Sequence, residues 1–231
     1  MELSAAQRER YERNLLVEGF TDRMQQALIA ARVAVVGAGG LGSAALNYLV
    51  AAGVGHLTLI ENDTVSLSNL QRQVLYTTAD MGRPKAEVAA MRLSRLNPGC
   101  DIRVVTDRLT AANAAGLLGG HDAVVDCTDN YDARYVIDDF CREAEVPMIY
   151  GTAEAVGVAV FHAGGAGGYR DLYPERASQK PVVGVLSPIV GVIGSLQALE
   201  TVKLLCGVGE SLAGNLLVVD GRTMQVSKLE L

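Results

Sequence analysis

Residues 33–62 read VAVVGAGGLGSAALNYLVAAGVGHLTLIEN, and no other stretch restricts the fold as much. Four apolar β-formers, Val33 to Val36, run straight into Gly37, Gly39 and Gly42 at the G-x-G-x-x-G spacing, with Gly40 as an extra glycine. Leu41, Ala44, Ala45, Tyr48, Leu49 and Ala52 then recur at helical spacing. Gly53 and Gly55 stop that helix before a second apolar run, Leu57 to Ile60. The pattern is a β-α-β unit. Its glycines let the backbone approach a phosphate closely, and the helix N-terminus beyond them presents free N–H groups and a positive dipole end. Glu61 closes the second strand about twenty residues after the last glycine, where an acidic side chain accepts hydrogen bonds from a ribose. The unit predicts a nucleotide without saying which one, with glycines that serve tight turns alone as the alternative.

The β-α alternation continues along the chain. Ser4 to Val17 reads as a helix with Ser4 as N-cap, and Leu28 to Ala31 leads into the glycine motif. Asn62 to Gln73 is polar and too long for a simple βα turn, and long loops in compact domains are usually functional. A helix opens at Pro84 with Lys85 in its first turn, presents Val88, Met91, Leu93 and Leu96 on one face, and ends at Asn97-Pro98-Gly99. There follow a strand at Ile102 to Thr106, a helix at Ala111 to Leu118 and a strand at Ala123 to Asp126. That last strand delivers Asp126-Cys127-Thr128-Asp129-Asn130 to the edge of an open parallel sheet where ligands bind. A helix at Ala133 to Ala144 and strands at Met148 to Tyr150 and Val156 to Phe161 come next. Then a glycine-rich crossover loop, Ala163 to Lys180, precedes a helix at Val190 to Leu205 and closing strands at Leu216 to Val219 and Met224 to Leu229. The expectation is one α/β domain over 1–231: a Rossmann-like, mostly parallel sheet with flanking helices and a C-terminal antiparallel portion.

Composition narrows the class. With 49% hydrophobic and 20% charged residues, the chain is not disordered. A net charge of -6 and no dense Lys/Arg block exclude a nucleic-acid groove. The polar start, Met1 to Arg13, lacks a signal-peptide pattern, so the cytoplasm is expected. The low-charge run Pro181 to Leu199 is interrupted by Ser187, Pro188, Ser195 and Gln197, which favours a buried core helix over a membrane span. Cys100, Cys127, Cys141 and Cys206 form no C-x-x-C pair and read as reduced buried thiols. His56, His121 and His162 have no ligand spacing.

Charge near the crevice discriminates between nucleotides. Backbone amides at a helix end handle the two phosphates of a dinucleotide well. A triphosphate carries about four charges and usually a metal ion, so it needs Arg, Lys and carboxylate nearby. Arg72 and Lys85 follow the acidic strand end, and Asp129 lies at another strand end facing the same crevice. The set fits ATP better than NAD. Singly, Arg72 and Lys85 read equally as solvated charges and Asp129 as a helix cap. An NAD-dependent oxidoreductase stays open on the glycine motif alone.

Several strings together carry a family resemblance: Arg10-Tyr11-Glu12-Arg13, the Gly37 to Gly42 turn, Ser68-Asn69-Leu70-Gln71-Arg72-Gln73, Gly82-Arg83-Pro84-Lys85, Asp126-Cys127-Thr128-Asp129-Asn130, and Gly184-Val185-Leu186 with the helix from Gly191 to Lys203. In this order, over nearly the whole chain, they resemble the HesA/MoeB/ThiF family, bacterial relatives of ubiquitin-activating enzymes. The resemblance implies an ATP-dependent adenylyltransferase, in which the C-terminal glycine carboxylate of a ubiquitin-like sulfur carrier ending in Gly-Gly attacks ATP. The products are an acyl-adenylate and pyrophosphate, for sulfur transfer in thiamine-thiazole, molybdopterin or related biosynthesis. By the family's pattern Glu61 binds the ribose, and Asn69, Arg72, Gln73 and Lys85 contact phosphates. Asp63 and the glycines Gly37, Gly39, Gly40 and Gly42 complete the nucleotide site, and Asp129 holds Mg²⁺. Arg13 reaches into the neighbouring subunit of a homodimer, so the catalytic set is Arg13, Arg72, Lys85 and Asp129.

The chain also departs from that pattern. Many members hold a structural zinc in two C-x-x-C pairs, the first inside Cys-Tyr-x-Cys-Leu-x-Pro. Here the matching string is Gly168-Tyr169-Arg170-Asp171-Leu172-Tyr173-Pro174, and no second pair follows. No structural zinc is expected, since a closed site needs four ligands. Some members use a loop cysteine before Gly-Val-Leu for a sulfur-linked intermediate. None lies between Glu175 and Gly184, which excludes thioester or acyl-disulfide chemistry in that loop. Glu61 stands where the family more often has Asp, and Asn14 where Gln is common. A catalytically inactive binding module is the alternative that the missing cysteines suggest; the complete set Arg13, Arg72, Lys85 and Asp129 argues against it.

Overall fold

The computed structural model describes residues 2–154, 157–163, 168–174 and 184–231. Where one N-terminal helix is expected, two form: α1 (Ala5–Arg10), capped by the Ser4 hydroxyl, and α2 (Glu12–Leu15). They part at Tyr11, whose ring is buried and whose hydroxyl accepts a 2.9 Å bond from Asn97 Nδ2. A third helix, α3 (Asp22–Ala30), corrects the sequence expectation, which places no helix between Val17 and Leu28. Its start is marked by Thr21, whose hydroxyl accepts from Met24 N at 3.3 Å.

The β-α-β unit follows as β1 (Arg32–Val36), α4 (Gly40–Ala52) and β2 (His56–Ile60). The polar loop contains two 3₁₀ turns, Leu67–Asn69 and Thr78–Asp80, before α5 (Lys85–Leu96). Next come β3 (Asp101–Val105), α6 (Ala114–Leu118), β4 (Ala123–Asp126) and α7 (Tyr131–Glu143). The remainder is β5 (Met148–Glu154), β6 (Gly157–Ala163), α8 (Tyr169–Leu172), α9 (Ser187–Cys206), β7 (Asn215–Asp220) and β8 (Gln225–Glu230). Of the expected strand at Val156 to Phe161 and the expected loop Ala163 to Lys180, residues 156, 164–167 and 175–180 lie outside the described residues; α8 occupies part of that loop.

Among the described residues, eight strands join one sheet in the order β3-β2-β1-β4-β5-β6-β7-β8. The first five run parallel and β6 to β8 antiparallel, giving the Rossmann-like sheet with an antiparallel C-terminal portion. β1 lies centrally, with Val33 opposite Leu57 of β2 on one side and Ala123 of β4 on the other. The chain therefore builds outwards from β1 to β3, then returns to start the other half at β4. That reversal opens a crevice between β1 and β4, at the carboxyl ends of the strands, where ligands bind in such sheets.

Both sheet faces are covered, so the inner strands are apolar throughout rather than alternating. Val33 and Val35 pack under α4, α5 and α9 with Leu46, Leu49, Leu93 and Ile193. Ala34 and Val36 face α6 and α7 with Leu118, Tyr135 and Ile137. α9 is long and apolar enough to cross a membrane, yet its buried polar residues are tied into this protein's interior. Gln197 Nε2 donates to Asp126 O at 2.7 Å, Thr201 Oγ1 to Gln197 O at 2.7 Å, and Glu200 Oε1 accepts from Leu212 N at 2.6 Å. It is a core helix.

Candidate nucleotide site

At the head of α4 the glycine turn has no room for side chains. Gly37 has φ +95°, and a Cβ there would lie 2.7 Å from Cys127 O at the end of β4. At Gly42 a Cβ would collide with the Gly37 carbonyl oxygen. Gly40 abuts Val190 of α9, and Gly39 lies beside the Gln73 amide. Glu61, at the end of β2, closes the turn from the other side. One carboxylate oxygen accepts from Ala38 N and the other from Asp63 N, both at 2.8 Å. Each oxygen retains acceptor capacity for a ribose hydroxyl. Tyr76, unmarked by any motif, completes the turn by donating its hydroxyl to Ala38 O at 2.9 Å. Burial, reinforced by the neighbouring Glu61 charge, pushes its phenol well above the usual range.

The long loop after β2 brings Gln73 beside Gly39 and Asp63 beside Glu61, and Asp63 in turn meets Lys85 at the head of α5. Lys85 is not a solvated charge: it is 3% exposed, and its Nζ meets Asp63 Oδ2 at 3.0 Å. Asp63, by contrast, is largely exposed. Gln73 is 3% exposed, and its Oε1 has no hydrogen-bond partner. Arg72 is half-buried and donates to Ser68 O at 3.2 Å. Asn69 holds the loop's shape: its Oδ1 accepts from Ser66 N at 3.3 Å and its carbonyl from Arg72 N and Gln73 N at 3.0 and 2.9 Å. Asp80 anchors the loop's far side by accepting from the Thr77 hydroxyl and pairing with Arg92 and Arg83. The Thr77 hydrogen bond, aided by both arginines, holds its carboxyl below the usual range.

The third wall is the end of β4. Asp126 is fully buried; its Oδ1 accepts from Thr128 N at 2.9 Å, and its Oδ2 lies 3.6 Å from Arg134 Nε. Burial pushes the Asp126 carboxyl up while Arg134 pulls against that shift. Arg134 Nη2 donates to Thr128 O at 2.8 Å. Asn130 is the N-cap of α7, accepting from Ala133 N at 2.8 Å, so Asp129 does not cap that helix and stands exposed beside the crevice.

Among the described residues, the buried side-chain polar atoms lacking a hydrogen-bond partner are Ser43 Oγ, Gln73 Oε1, Asp126 Oδ2, Thr128 Oγ1 and Arg134 Nε. Asp126 Oδ2 and Arg134 Nε face each other at 3.6 Å, Ser43 lies just inside α4, and Gln73 Oε1 belongs to the amide beside the glycine turn. An unpaired buried acceptor is costly in a finished interior and expected where a ligand completes the bonding.

Arg13 stands apart. It is exposed on α2, and its neighbour Asn14 donates to Ala52 O at 3.2 Å, at the far end of α4 from the glycine turn. Twelve helical steps separate Gly40 from Ala52, about 18 Å at 1.5 Å each. Within one chain Arg13 does not join the others.

Burial favours the protonated form of the four thiols. Burial pushes Cys127 well above its usual value, Cys100 and Cys206 to about 11, and Cys141 to about 12. Nor does the 168–174 string fit a zinc ion. Gly168 and Asp171 offer no thiolate, and Asp171 Oδ2 already accepts from Gly168 N at 2.7 Å and pairs with Arg142. Charges of α7 seat this segment instead. Asp138, fully buried, accepts from Tyr169 N at 2.8 Å and Arg170 N at 3.1 Å, and Asp139 pairs with Arg170 at 2.7 Å. A Cβ at position 168 would collide with Asp138 Oδ1.

Comparison with known proteins places these features. The ThiF family model matches residues 11–231. Molybdopterin-synthase adenylyltransferase of Escherichia coli is 43% identical, over 100% of this chain and 95% of the relative. Sulfur carrier protein ThiS adenylyltransferase of the same organism is 41% identical, over 96% and 90%. Sulfur carrier protein adenylyltransferase of Thermus thermophilus is 42% identical, over 96% and 86%. Among solved structures, the crystal structure of PaaA superposes with a TM-score of 0.85 over 99% of this chain and 74% of that one, at 23% identity. That of E. coli MccB with ATP gives 0.84 over 98% and 72%, at 21% identity.

Proposed function

The chain belongs to the ThiF family, and from that premise we propose that it is an ATP-dependent adenylyltransferase activating the C-terminal glycine carboxylate of a ubiquitin-like sulfur-carrier protein. The observation that carries this is the joining of one glycine turn to a buried lysine, a half-buried arginine and an exposed carboxylate in a chain whose relatives, more than 40% identical over nearly their full length, are sulfur-carrier and molybdopterin-synthase adenylyltransferases. The relatives' names span molybdopterin and ThiS carriers, and the substrate is of that kind.

The reaction joins two anions. A carboxylate oxygen of the carrier attacks the α-phosphorus of ATP, the bond to the bridging oxygen breaks, and pyrophosphate leaves with that electron pair. A terminal carboxylate, with a pKa near roughly 3.5, is already ionised at neutral pH, so no general base is needed. The positions of His56 and His121 fit that requirement: His56 starts β2, 3.7 Å from Asp101, and His121 precedes β4 and contacts Leu118 and Thr58, so both stand toward the amino ends of strands whose carboxyl ends form the crevice. What the protein supplies is alignment and compensation of charge. Glu61 receives the ribose, and the backbone of Gly37, Gly39, Gly40 and Gly42 lies along the phosphates. Asn69, Arg72, Gln73 and Lys85 take phosphate oxygens, with Asp63 keeping the Lys85 ammonium oriented. Asp129 is suited to Mg²⁺, an ion commonly held by one or two carboxylates plus substrate phosphates; when bound, it neutralises phosphate charge.

Arg13 acts in the partner's site of a homodimer. Its place at the far end of α4 supports this, and so do exposed apolar side chains on nearby elements: Leu16 and Val17 beside α2, Tyr48 on α4, and Val192 and Leu199 on α9, the helix packed against α4. The cytoplasm is the compartment where such carriers and ATP meet.

The test is Mg²⁺-dependent exchange of labelled pyrophosphate into ATP, with a panel of ubiquitin-like proteins ending in Gly-Gly. Exchange that requires the intact tail and is lost in Asp129→Ala is the expected result. ATP binding without exchange for any carrier would refute the enzymatic function and leave a binding module.

A further inference from the structure

The carboxylate proposed for Mg²⁺ is on an exposed turn, and something must hold that turn. Thr128, the residue before Asp129, gives both backbone groups to a buried pair. Its N–H goes to Asp126 Oδ1 at 2.9 Å, and its carbonyl accepts from Arg134 Nη2 at 2.8 Å. The two charged groups approach each other only to 3.6 Å and leave Asp126 Oδ2 and Arg134 Nε without hydrogen bonds. Each directs a bond to Thr128, and Arg134 also bonds the Tyr169 hydroxyl.

Arg134 is also an unlikely residue to bury there for stability. It is 6% exposed and in the first turn of α7, where the helix dipole disfavours a cation. The compensation is a seat of aromatic rings, Tyr150 at 5.1 Å, Tyr131 at 5.8 Å and Tyr169 at 6.0 Å from the guanidinium carbon. Tyr169 belongs to α8, which Asp138 fixes to α7. A planar fork in a rigid seat sets direction as well as charge.

We propose that Arg134 is a positioning residue for Asp129: by gripping the Thr128 carbonyl it fixes where the Asp129 carboxylate stands at the crevice. The proposal rests on the function above. Without the grip, Asp129 remains but is no longer held in place, so the metal-dependent part of nucleotide binding falls while the glycine turn and Glu61 still hold the nucleoside.

Two variants test it. Arg134→Met fills the seat without charge, and Arg134→Lys keeps the charge without the fork. Calorimetric titration of ATP with and without Mg²⁺ gives the metal-dependent gain in affinity for wild type, Asp129→Ala and both Arg134 variants. Loss of a group that orients a metal ligand costs about 10–100-fold in metal affinity. The gain is expected to shrink by about that range in Arg134→Met, approaching Asp129→Ala, and by less in Arg134→Lys, with metal-free ATP affinity within about threefold of wild type. In the exchange assay the Mg²⁺ requirement rises correspondingly, and excess Mg²⁺ restores part of the rate. An Arg134→Met or Arg134→Lys protein that keeps the full metal-dependent gain overturns the proposal, as does equal loss of metal-free and metal-dependent binding, or a wild type with no metal-dependent gain. A wild type lacking exchange but showing a gain that Arg134→Met abolishes would sink the adenylation function and leave the positioning role standing.

Discussion

The separation of Arg13 from the glycine turn makes a prediction that needs no structure of a dimer. Asn14, its neighbour, is bonded to Ala52, and about 18 Å of helix lies between that end of α4 and the turn, farther than an arginine side chain extends. If Arg13 works in its partner's site, each site combines Arg13 of one protomer with Asp129 of the other. Arg13→Ala alone should cost about 10³–10⁵ in turnover, the range for arginine fingers elsewhere. Both Arg13 and Asp129 are exposed, so Arg13→Ala and Asp129→Ala should change folding stability by no more than about 0.5 kcal/mol. The two dead variants are then mixed in equal amounts and allowed to exchange subunits. Random association makes half the dimers mixed, and each mixed dimer contains one whole site of two, which predicts about a quarter of wild-type pyrophosphate exchange. Differently tagged protomers, recovered by one tag and probed for the other, verify that exchange of subunits has taken place. A mixture verified in this way that remains as inactive as its components refutes the shared site. So does an Arg13→Ala protein with near-normal turnover.

Three further outcomes follow from the site and its surroundings. Lys85→Met keeps the volume of a buried side chain but removes its ammonium, and pyrophosphate exchange should fall about 10²–10³-fold while the melting temperature changes little. The Asp80 carboxyl is held low in the folded state, so its stabilisation is fully present above the ordinary value of about 3.9 and is lost as pH falls through the lower folded value. In urea titrations the deficit of Asp80→Asn should be largest near neutral pH and shrink below about pH 4; a deficit independent of pH would contradict the assignment. Asp138→Asn leaves one acceptor for two backbone N–H groups and should destabilise the protein by about 1–3 kcal/mol, with amide exchange rising first at Tyr169 and Arg170. Unchanged protection there would show that Asp138 does not seat α8.

The parts of this molecule legible in the sequence are those written in the backbone. The glycine turn needs residues without side chains at fixed intervals, and Gly37 and Gly42 stand where any Cβ would strike the chain. Inner strands covered on both faces appear as unbroken apolar runs, as at Val33 to Val36. The break at Tyr11 is different: local spacing continues the helix, but a tertiary bond from Asn97 holds the Tyr11 hydroxyl in the interior. α3 did carry a capping signal in Thr21, overshadowed by the apolar entry to β1 that follows it. In the site, Glu61 was legible as an acid at a strand end, whereas its ties to Ala38 and Asp63 were not. Gln197 shows in sequence only as a polar interruption of an apolar run; the fold places it against Asp126, 71 residues away. Arg134 and Tyr76 escape for the same reason, because their purpose is defined by atoms that the chain brings together only after folding.

The segment from Gly168 to Leu172 is held to α7 by carboxylates and guanidinium groups, at the string where the family resemblance implies thiol ligands. A thiolate cage must be loaded before it holds, so it ties a protein's assembly to the cell's supply of a trace element. Asp138, Asp139 and Arg142 arrive with the polypeptide itself. The strength of these ties varies with salt, which screens the two exposed pairs far more than the buried Asp138.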